Sequence, residues 1–62
     1  MEYYTINDIQ ILTGYNKKQI LNIINKLNQE IKEQYKNKKI KPVIFDNKIE
    51  KKYFLRRMEI EL

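Results

Sequence analysis

The sequence predicts a mainly helical α+β fold, a winged helix-turn-helix. Its expected order is a short N-terminal strand or extended segment, a helix, a turn, a long helix, a two-stranded hairpin wing and a C-terminal helix. Two helix-start signals flank the only glycine of the chain, and a long apolar stripe at helical spacing follows them. The sequence after this stripe is typical of a hairpin: it contains a proline, a run of β-branched and aromatic residues, and an Asp-Asn pair. A chain of 62 residues makes one domain, 1–62.

The first helix is predicted to begin after Thr5. The Thr5 hydroxyl caps it, and Asp8, at the third helical position, bonds back to the cap. Gly14 then ends the helix in a left-handed conformation, which glycine adopts without steric cost. The preceding residues 3–5 form a brief strand or a hydrophobic staple. The apolar face of this helix is predicted from helical spacing to be Ile6, Ile9 and Leu12.

The second helix is predicted over about Lys17 to Tyr35, with Asn16 as its cap and Gln19 in the reciprocal position. The predicted apolar stripe is Ile20, Ile23 or Ile24, Leu27, Ile31 and Tyr35. The predicted solvent face is Lys18, Asn22, Asn25, Lys26, Glu30, Lys32 and Glu33. The helix is long for a recognition helix, so its far half is expected to pack on the sheet or on a partner.

A hairpin is predicted between about Lys39 and Ile49, after a polar link. Pro42 is incompatible with a helix interior, residues 43–45 read as a strand, and Asp46-Asn47 reads as a two-residue turn. Glu50 is expected to cap a last helix that runs from Lys51 to about Met58. The apolar positions of that helix are Tyr53, Phe54, Leu55 and Met58, and an acidic tail, residues 59–62, follows it.

The composition of the chain limits the classes of function that are expected. The chain has no cysteine and no histidine, and its acids show no visible pairing, so we expect no enzyme, no metal site, no cofactor and no small-molecule ligand. No apolar run approaches the ~18 residues of a membrane span, and no signal peptide is recognisable, so a cytoplasmic protein is expected. Residues 1–16 contain two acids and no base, whereas residues 17–57 contain all 13 Lys and Arg of a chain with net charge +5. A basic segment of this kind indicates a polyanionic partner.

Three short stretches carry a family resemblance. In residues 4–9 a Thr-capped helix follows a short aromatic strand, residues 12–16 contain a Leu-Thr-Gly turn, and residues 48–54 lead from a basic and an aliphatic residue into Lys-Lys-Tyr-Phe. Together they resemble the small excisionase-type, MerR-like winged helix-turn-helix proteins of phages and integrative elements. The chain departs from that pattern at Asn16, where the family usually has Ser. It departs again at Asp46-Asn47-Lys48, where the family commonly has Gly and Arg.

The resemblance implies an architectural factor for double-stranded DNA. Excisionases bind beside attachment sites, often as adjacent copies, bend the DNA and steer an integrase towards excision, and several repress nearby promoters. It therefore implies an excisionase-like factor or small transcriptional regulator, with DNA, an integrase or recombinase, and further copies of itself as partners. The expected location is the nucleoid of a bacterial or phage-infected cell.

The candidate DNA-binding residues lie at the start of the second helix, around the hairpin and on the last helix. Lys17 and Lys18 place positive charge at the helix N-terminus, which is the positive end of the macrodipole. A phosphate bound nearby would explain why lysines occur there. Asn22 is the preferred base reader, since Asn pairs with adenine, whereas Gln19 either reads DNA or serves the Asn16 cap. Tyr15 either contacts a phosphate through its hydroxyl or packs in the core. The complete predicted set is Tyr15, Asn16, Lys17, Lys18, Gln19, Asn22, Lys38, Lys39, Lys41, Asn47, Lys48 and Arg56.

Several of these residues, and the function itself, have alternative interpretations. The lysines around the hairpin bind phosphates or protect an edge strand from aggregation. One of Arg56 and Arg57 faces DNA, and the other bridges Glu59 or Glu61. One alternative function is a phage-encoded or mobile-element inhibitor or antirepressor, in which the long helix and residues 58–62 mask a protein partner. Another is an antitoxin-like autoregulator that binds both DNA and a partner. In a DNA-binding protein, residues 28–35 and 58–62 are spare surfaces, which are expected to support cooperative loading of several copies. Binding through phosphates weakens steeply with salt, whereas an apolar protein interface does not, so salt dependence discriminates between these classes.

Overall fold

A computed structural model describes residues 2–61, with side chains over 2–59. The elements are β1 (Tyr3–Thr5), α1 (Ile6–Thr13), α2 (Lys17–Tyr35), β2 (Lys48–Glu50) and α3 (Lys51–Glu61). Three helices and a two-stranded antiparallel sheet therefore form a small, mainly helical α+β structure, as the sequence predicted. The predicted tail lies partly within α3, and Leu62 falls outside the described residues. Within the described range, no helix combines the length and apolar character needed to cross a bilayer.

Both predicted capping boxes are present. The Asp8 N–H donates to the Thr5 hydroxyl at 3.2 Å, and the Thr5 N–H donates to the Asp8 carboxylate at 2.9 Å. The hydrogen bonds from Thr5 lower the pKa of Asp8. At α2, the Gln19 N–H donates to Asn16 Oδ1 at 2.8 Å, and the Asn16 N–H donates to Gln19 Oε1 at 3.0 Å. These reciprocal bonds satisfy amides that lack helical partners, so both helices begin where the sequence predicts.

Gly14 makes the predicted reversal between α1 and α2. Its φ is 74°, the left-handed region, and its N–H donates to the Gln10 carbonyl at 2.8 Å. The Thr13 hydroxyl donates to the Ile9 carbonyl at 2.7 Å and accepts from the Tyr15 N–H at 3.2 Å. The turn is thus closed by backbone and hydroxyl bonds on both sides of the glycine.

The predicted hairpin is wrong. β2 pairs antiparallel with β1, with Tyr4 opposite Ile49, and residues 43–45 form no strand. The N-terminal strand is the better partner because Tyr4 and Ile49 both pack in the core, where Ile49 is fully buried. The Phe45 carbonyl, which a hairpin ladder would use, accepts a hydrogen bond from Asn28 at 2.7 Å.

One apolar core joins the three helices and β2. Its buried members are Ile9, Ile20, Ile24, Leu27, Ile31, Ile49, Tyr53 and Phe54. The stripe on α2 is confirmed from Ile20 to Ile31, but Tyr35 is 38% exposed. Leu12 is 56% exposed, contrary to prediction, because the half-buried Thr13 occupies the inward position one turn after Ile9.

The N-terminus of α3 is capped as predicted. Glu50 accepts from the Tyr53 N–H at 2.9 Å and from the Lys52 N–H at 3.1 Å. A carboxylate here also complements the macrodipole of the helix. The helix continues to Glu61, three residues beyond the predicted end at Met58.

A polar network holds α3 on α2. Arg57 donates from Nε to Glu30 Oε1 at 2.8 Å and from Nη2 to Oε2 at 3.1 Å, and the Tyr53 hydroxyl donates to Oε1 at 2.8 Å. The bonds from Arg57 and then Tyr53 lower the pKa of Glu30, while burial and the bond to Glu30 raise the pKa of Tyr53. Arg57 therefore bonds to Glu30, a partner that was not predicted, while the side chain of Glu61, one of the two predicted partners, lies outside the described residues.

Candidate nucleic-acid interface

The first turn of α2 presents two exposed lysines, Lys17 and Lys18. This turn contains no acid, and neither lysine forms an ion pair with any described residue. Free amides and the positive end of the macrodipole meet at a helix N-terminus, which makes it a binding place for anions. The two lysines add full charges to those partial ones, and the site is electrostatically suited to phosphate.

Gln19 and Asn16 hold this turn in place. Of the two interpretations open for Gln19, the structure supports the cap, because its Oε1 is bonded to the Asn16 N–H. Asn16 Oδ1 is likewise occupied by the Gln19 N–H. The capping hydrogen bonds use only the side-chain oxygen atoms of Asn16 and Gln19. The amino groups of both carboxamides therefore remain as donors at the surface.

Asn22 and Tyr15 are both exposed. Asn22 lies one turn beyond Lys18 on α2, and its carboxamide makes no bond to another described residue. A free carboxamide has the donor and acceptor pair that adenine recognition requires. Tyr15 is 39% exposed in the turn, so it does not fill the core, and its contact with a phosphate stays a prediction.

The structure brings part of the 36–47 connection to the start of α2. Asn47 and Lys17 line one shallow groove of about 370 Å³, together with α1 residues that include Asn7 and Gln10. Next to Asn47, Lys48 is half-buried, and its Nζ lies 5.1 Å from the centroid of the Phe45 ring. Predicted helix and turn residues are therefore neighbours in space.

The other predicted residues lie elsewhere. Lys38, Lys39 and Lys41 are exposed beyond the C-terminal end of α2, and this 19-residue helix is about 28 Å long. They form a second basic group, separate from the one at Lys17. Arg56 is exposed on α3, with its guanidinium carbon 5.8 Å from the centroid of the Tyr53 ring. The structure does not bring these four residues to the groove.

Two residues of this region were missed from the sequence. Asn28, assigned to a spare surface, is only 6% exposed, and its Nδ2 donates to the carbonyls of Phe45 at 2.7 Å and Lys48 at 3.1 Å. Phe45 is 37% exposed, with the Tyr3 ring edge-on at 5.2 Å. A polar residue at an inward position of the α2 stripe was the available signal for Asn28. Phe45 had no signal, because its neighbours come from distant segments.

Comparison with protein-family models, with curated proteins and with solved structures finds no match for this chain.

Proposed function

We propose that this protein binds double-stranded DNA in a sequence-specific manner as a winged helix-turn-helix. In this proposal α1 and α2 are the helix-turn-helix, α2 is the recognition helix and the 36–47 connection is the wing. The observation that carries it is the groove in which Lys17, at the exposed basic start of α2, meets Asn47 of the connecting turn. Helix start and wing can thus reach one duplex together.

The contacts divide by chemistry. Lys17 and Lys18 neutralise phosphates beside the N-terminus of α2, and Lys48 neutralises one beside the wing. Asn22, one turn into the helix, reads adenine in the major groove through paired hydrogen bonds to N6 and N7. The phosphate contacts set affinity and orientation, whereas Asn22 sets sequence preference.

The distant lysines extend the contact along the DNA. Lys38, Lys39 and Lys41 follow the C-terminal end of α2, a helix about 28 Å long, and that length corresponds to about 8 base pairs. In an excisionase-like architectural factor, this second group binds phosphates further along a bent duplex. In a small transcriptional regulator, the same contacts hold the protein over a promoter. An integrase and further copies of this chain are the partners that the resemblance implies.

A second function is favoured by exposed apolar side chains. Ile11 is 84% exposed, Ile40 is 87% exposed and Val43 is 64% exposed. Isolated exposed apolar residues are ordinary, but three this accessible on a small domain are suited to a protein partner. They fit an inhibitor or antirepressor, or an antitoxin-like autoregulator that binds both DNA and a partner.

Salt titration tests the DNA proposal. A site is first selected from a random duplex pool, and binding is then measured at about 50 to 200 mM salt. Lys18→Ala should lower the salt slope by ~0.9 on every sequence. Asn22→Ala should weaken binding to the selected site by about 1–3 kcal/mol and leave unrelated duplexes unaffected.

Lys52→Ala is the matched control, because Lys52 is an exposed lysine of α3 outside the proposed contact. Equal effects of Lys52→Ala and Lys18→Ala would mean that the salt dependence reports only non-specific charge. Failure to select any duplex, combined with a salt-insensitive protein complex that depends on Ile11 or Ile40, would favour the inhibitor.

A further inference from the structure

Asn28 is a polar side chain at an apolar position. It lies on the inward stripe of α2, among Ile24, Leu27 and Ile31, and is only 6% exposed. Among the described residues it is the one buried side chain that is polar or charged. Burying a carboxamide costs free energy unless its hydrogen-bonding groups are satisfied, and leucine would bury more apolar surface here. The presence of asparagine rather than leucine at this buried position therefore needs a physical reason.

The reason lies in the two carbonyls that it binds. Asn28 Nδ2 donates to Phe45 at 2.7 Å and to Lys48 at 3.1 Å, the residues on either side of Asp46-Asn47. Residues 46 and 47 form a turn between these two carbonyls. The side chain of Asn28 therefore bridges both ends of the 45–48 turn and attaches it to the middle of α2.

The 45–48 turn carries groups that face solvent beside α2. Asn47 shares a groove with Lys17, and Lys48 Nζ lies over the half-exposed Phe45 ring. The edge-on Tyr3 ring supports Phe45 from β1. These placements depend on two attachments of the turn. Strand pairing holds Lys48 opposite Thr5, and Asn28 is the hydrogen-bonded attachment to α2.

We propose that Asn28 is a positioning residue for DNA binding, which fixes the 45–48 turn so that Lys48 and the start of α2 meet the same duplex. This inference rests on the proposed function. Asn28 itself is buried and touches no DNA. Its contribution is preorganisation: a turn already held in place loses little freedom on binding, whereas a detached turn must be ordered by the DNA.

Coupled substitutions test this role in the full chain. Asn28→Asp preserves size and removes both donors, because a carboxylate only accepts hydrogen bonds. Asn25→Asp is the matched control, with the same charge change at an exposed position of the same helix. Lys48→Ala and Lys18→Ala are each added to the native protein and to both Asp variants. The probe is a random-sequence duplex of about 20 base pairs, titrated at about 50 to 200 mM salt.

Lys48→Ala should lower the salt slope by ~0.9 in the native and Asn25→Asp proteins and leave it unchanged in Asn28→Asp. Lys18→Ala should lower it by the same amount in all three. A purely structural role for Asn28 would reduce both lysine effects or neither, and either result overturns the positioning role. If the native protein does not bind the duplex, the proposed function fails and this role with it; if it binds without the coupling, only the role fails.

A folding control accompanies the titration. Circular dichroism establishes that Asn28→Asp retains its helices at the titration temperature. If it does not, Asn28→Ala and Asn25→Ala replace the Asp pair, since alanine removes the donors without burying a charge. The same loss of the Lys48→Ala effect is expected in Asn28→Ala, and its persistence overturns the proposal.

Discussion

Replacement of Gly14 isolates the strain of a single backbone angle. Its φ is 74°, and a Cβ added there would meet no heavy atom within 4 Å. A substitution therefore creates no clash, and its cost comes only from holding an L-residue in the left-handed region. That strain is about 1–2 kcal/mol for an ordinary residue and reaches about 3 kcal/mol for a poorly suited one. Loss of glycine's freedom in the unfolded chain offsets about 0.4–1 kcal/mol.

The difference predicts an order among three variants. Gly14→Asn should be nearly neutral, because asparagine visits this region readily. Gly14→Ala should lower the free energy of unfolding by about 1 kcal/mol or less, after the offset. Gly14→Val should lower it by about 2–2.5 kcal/mol after the offset, because a β-branched residue is least tolerated there.

Thermal unfolding followed by circular dichroism measures this series. For a domain of this size, 1 kcal/mol corresponds to about 4–8 °C in Tm, so Gly14→Val should melt roughly 8–20 °C lower. Urea unfolding at one temperature gives the free energies independently. A valine variant with the native Tm would refute the left-handed turn. An asparagine variant as unstable as valine would show that something other than backbone strain determines the cost.

Three further predictions concern the caps, the α2–α3 contact and the tail. Thr5→Ala should lower the free energy of unfolding by about 1 kcal/mol, because the Asp8 N–H loses its acceptor; an unchanged urea midpoint would contradict this. Glu30→Gln should weaken the contact with Arg57 at neutral pH. Folding lowers the pKa of Glu30 from its ordinary value of 4.5, chiefly through Arg57, so the native protein should lose this stability as pH falls below 4.5 and through the lowered pKa. Identical pH profiles of the two proteins in urea unfolding would refute it. Deleting residues 59–62 should leave one-site DNA affinity intact or slightly raised and reduce cooperativity on repeated sites, so equal per-site affinity on both duplexes, with and without the tail, would exclude cooperative loading.

Local signals made the helices predictable. Thr5 and Asn16 cap through bonds to residues three positions away, and the stripe from Ile20 to Ile31 repeats every three or four residues. Such interactions are contained in a few consecutive letters of the sequence. For the same reason, the exposed Lys17 could be placed at the start of α2 without knowledge of the remaining chain.

Strand pairing was not predictable in the same way. Residues 43–45 have the composition of a strand, but β2 pairs with β1, which lies more than forty residues earlier in the chain. Either partner offers equivalent backbone groups, and the choice depends on which side chains become buried together. Tyr4 beside Ile49 in the core decides it, and no local pattern contains that contact.

By itself, the sequence determined where each helix begins, where Gly14 reverses the chain and where the positive charge lies. These depend on side chains within one helical turn and on residue identity alone. Only the tertiary structure decided that Asn28 holds the 45–48 turn, and that Asn47 shares a groove with Lys17 while Lys38, Lys39 and Lys41 do not line it. Those placements follow from the packing of segments far apart in the chain, where burial in a shared core, rather than local preference, sets the geometry.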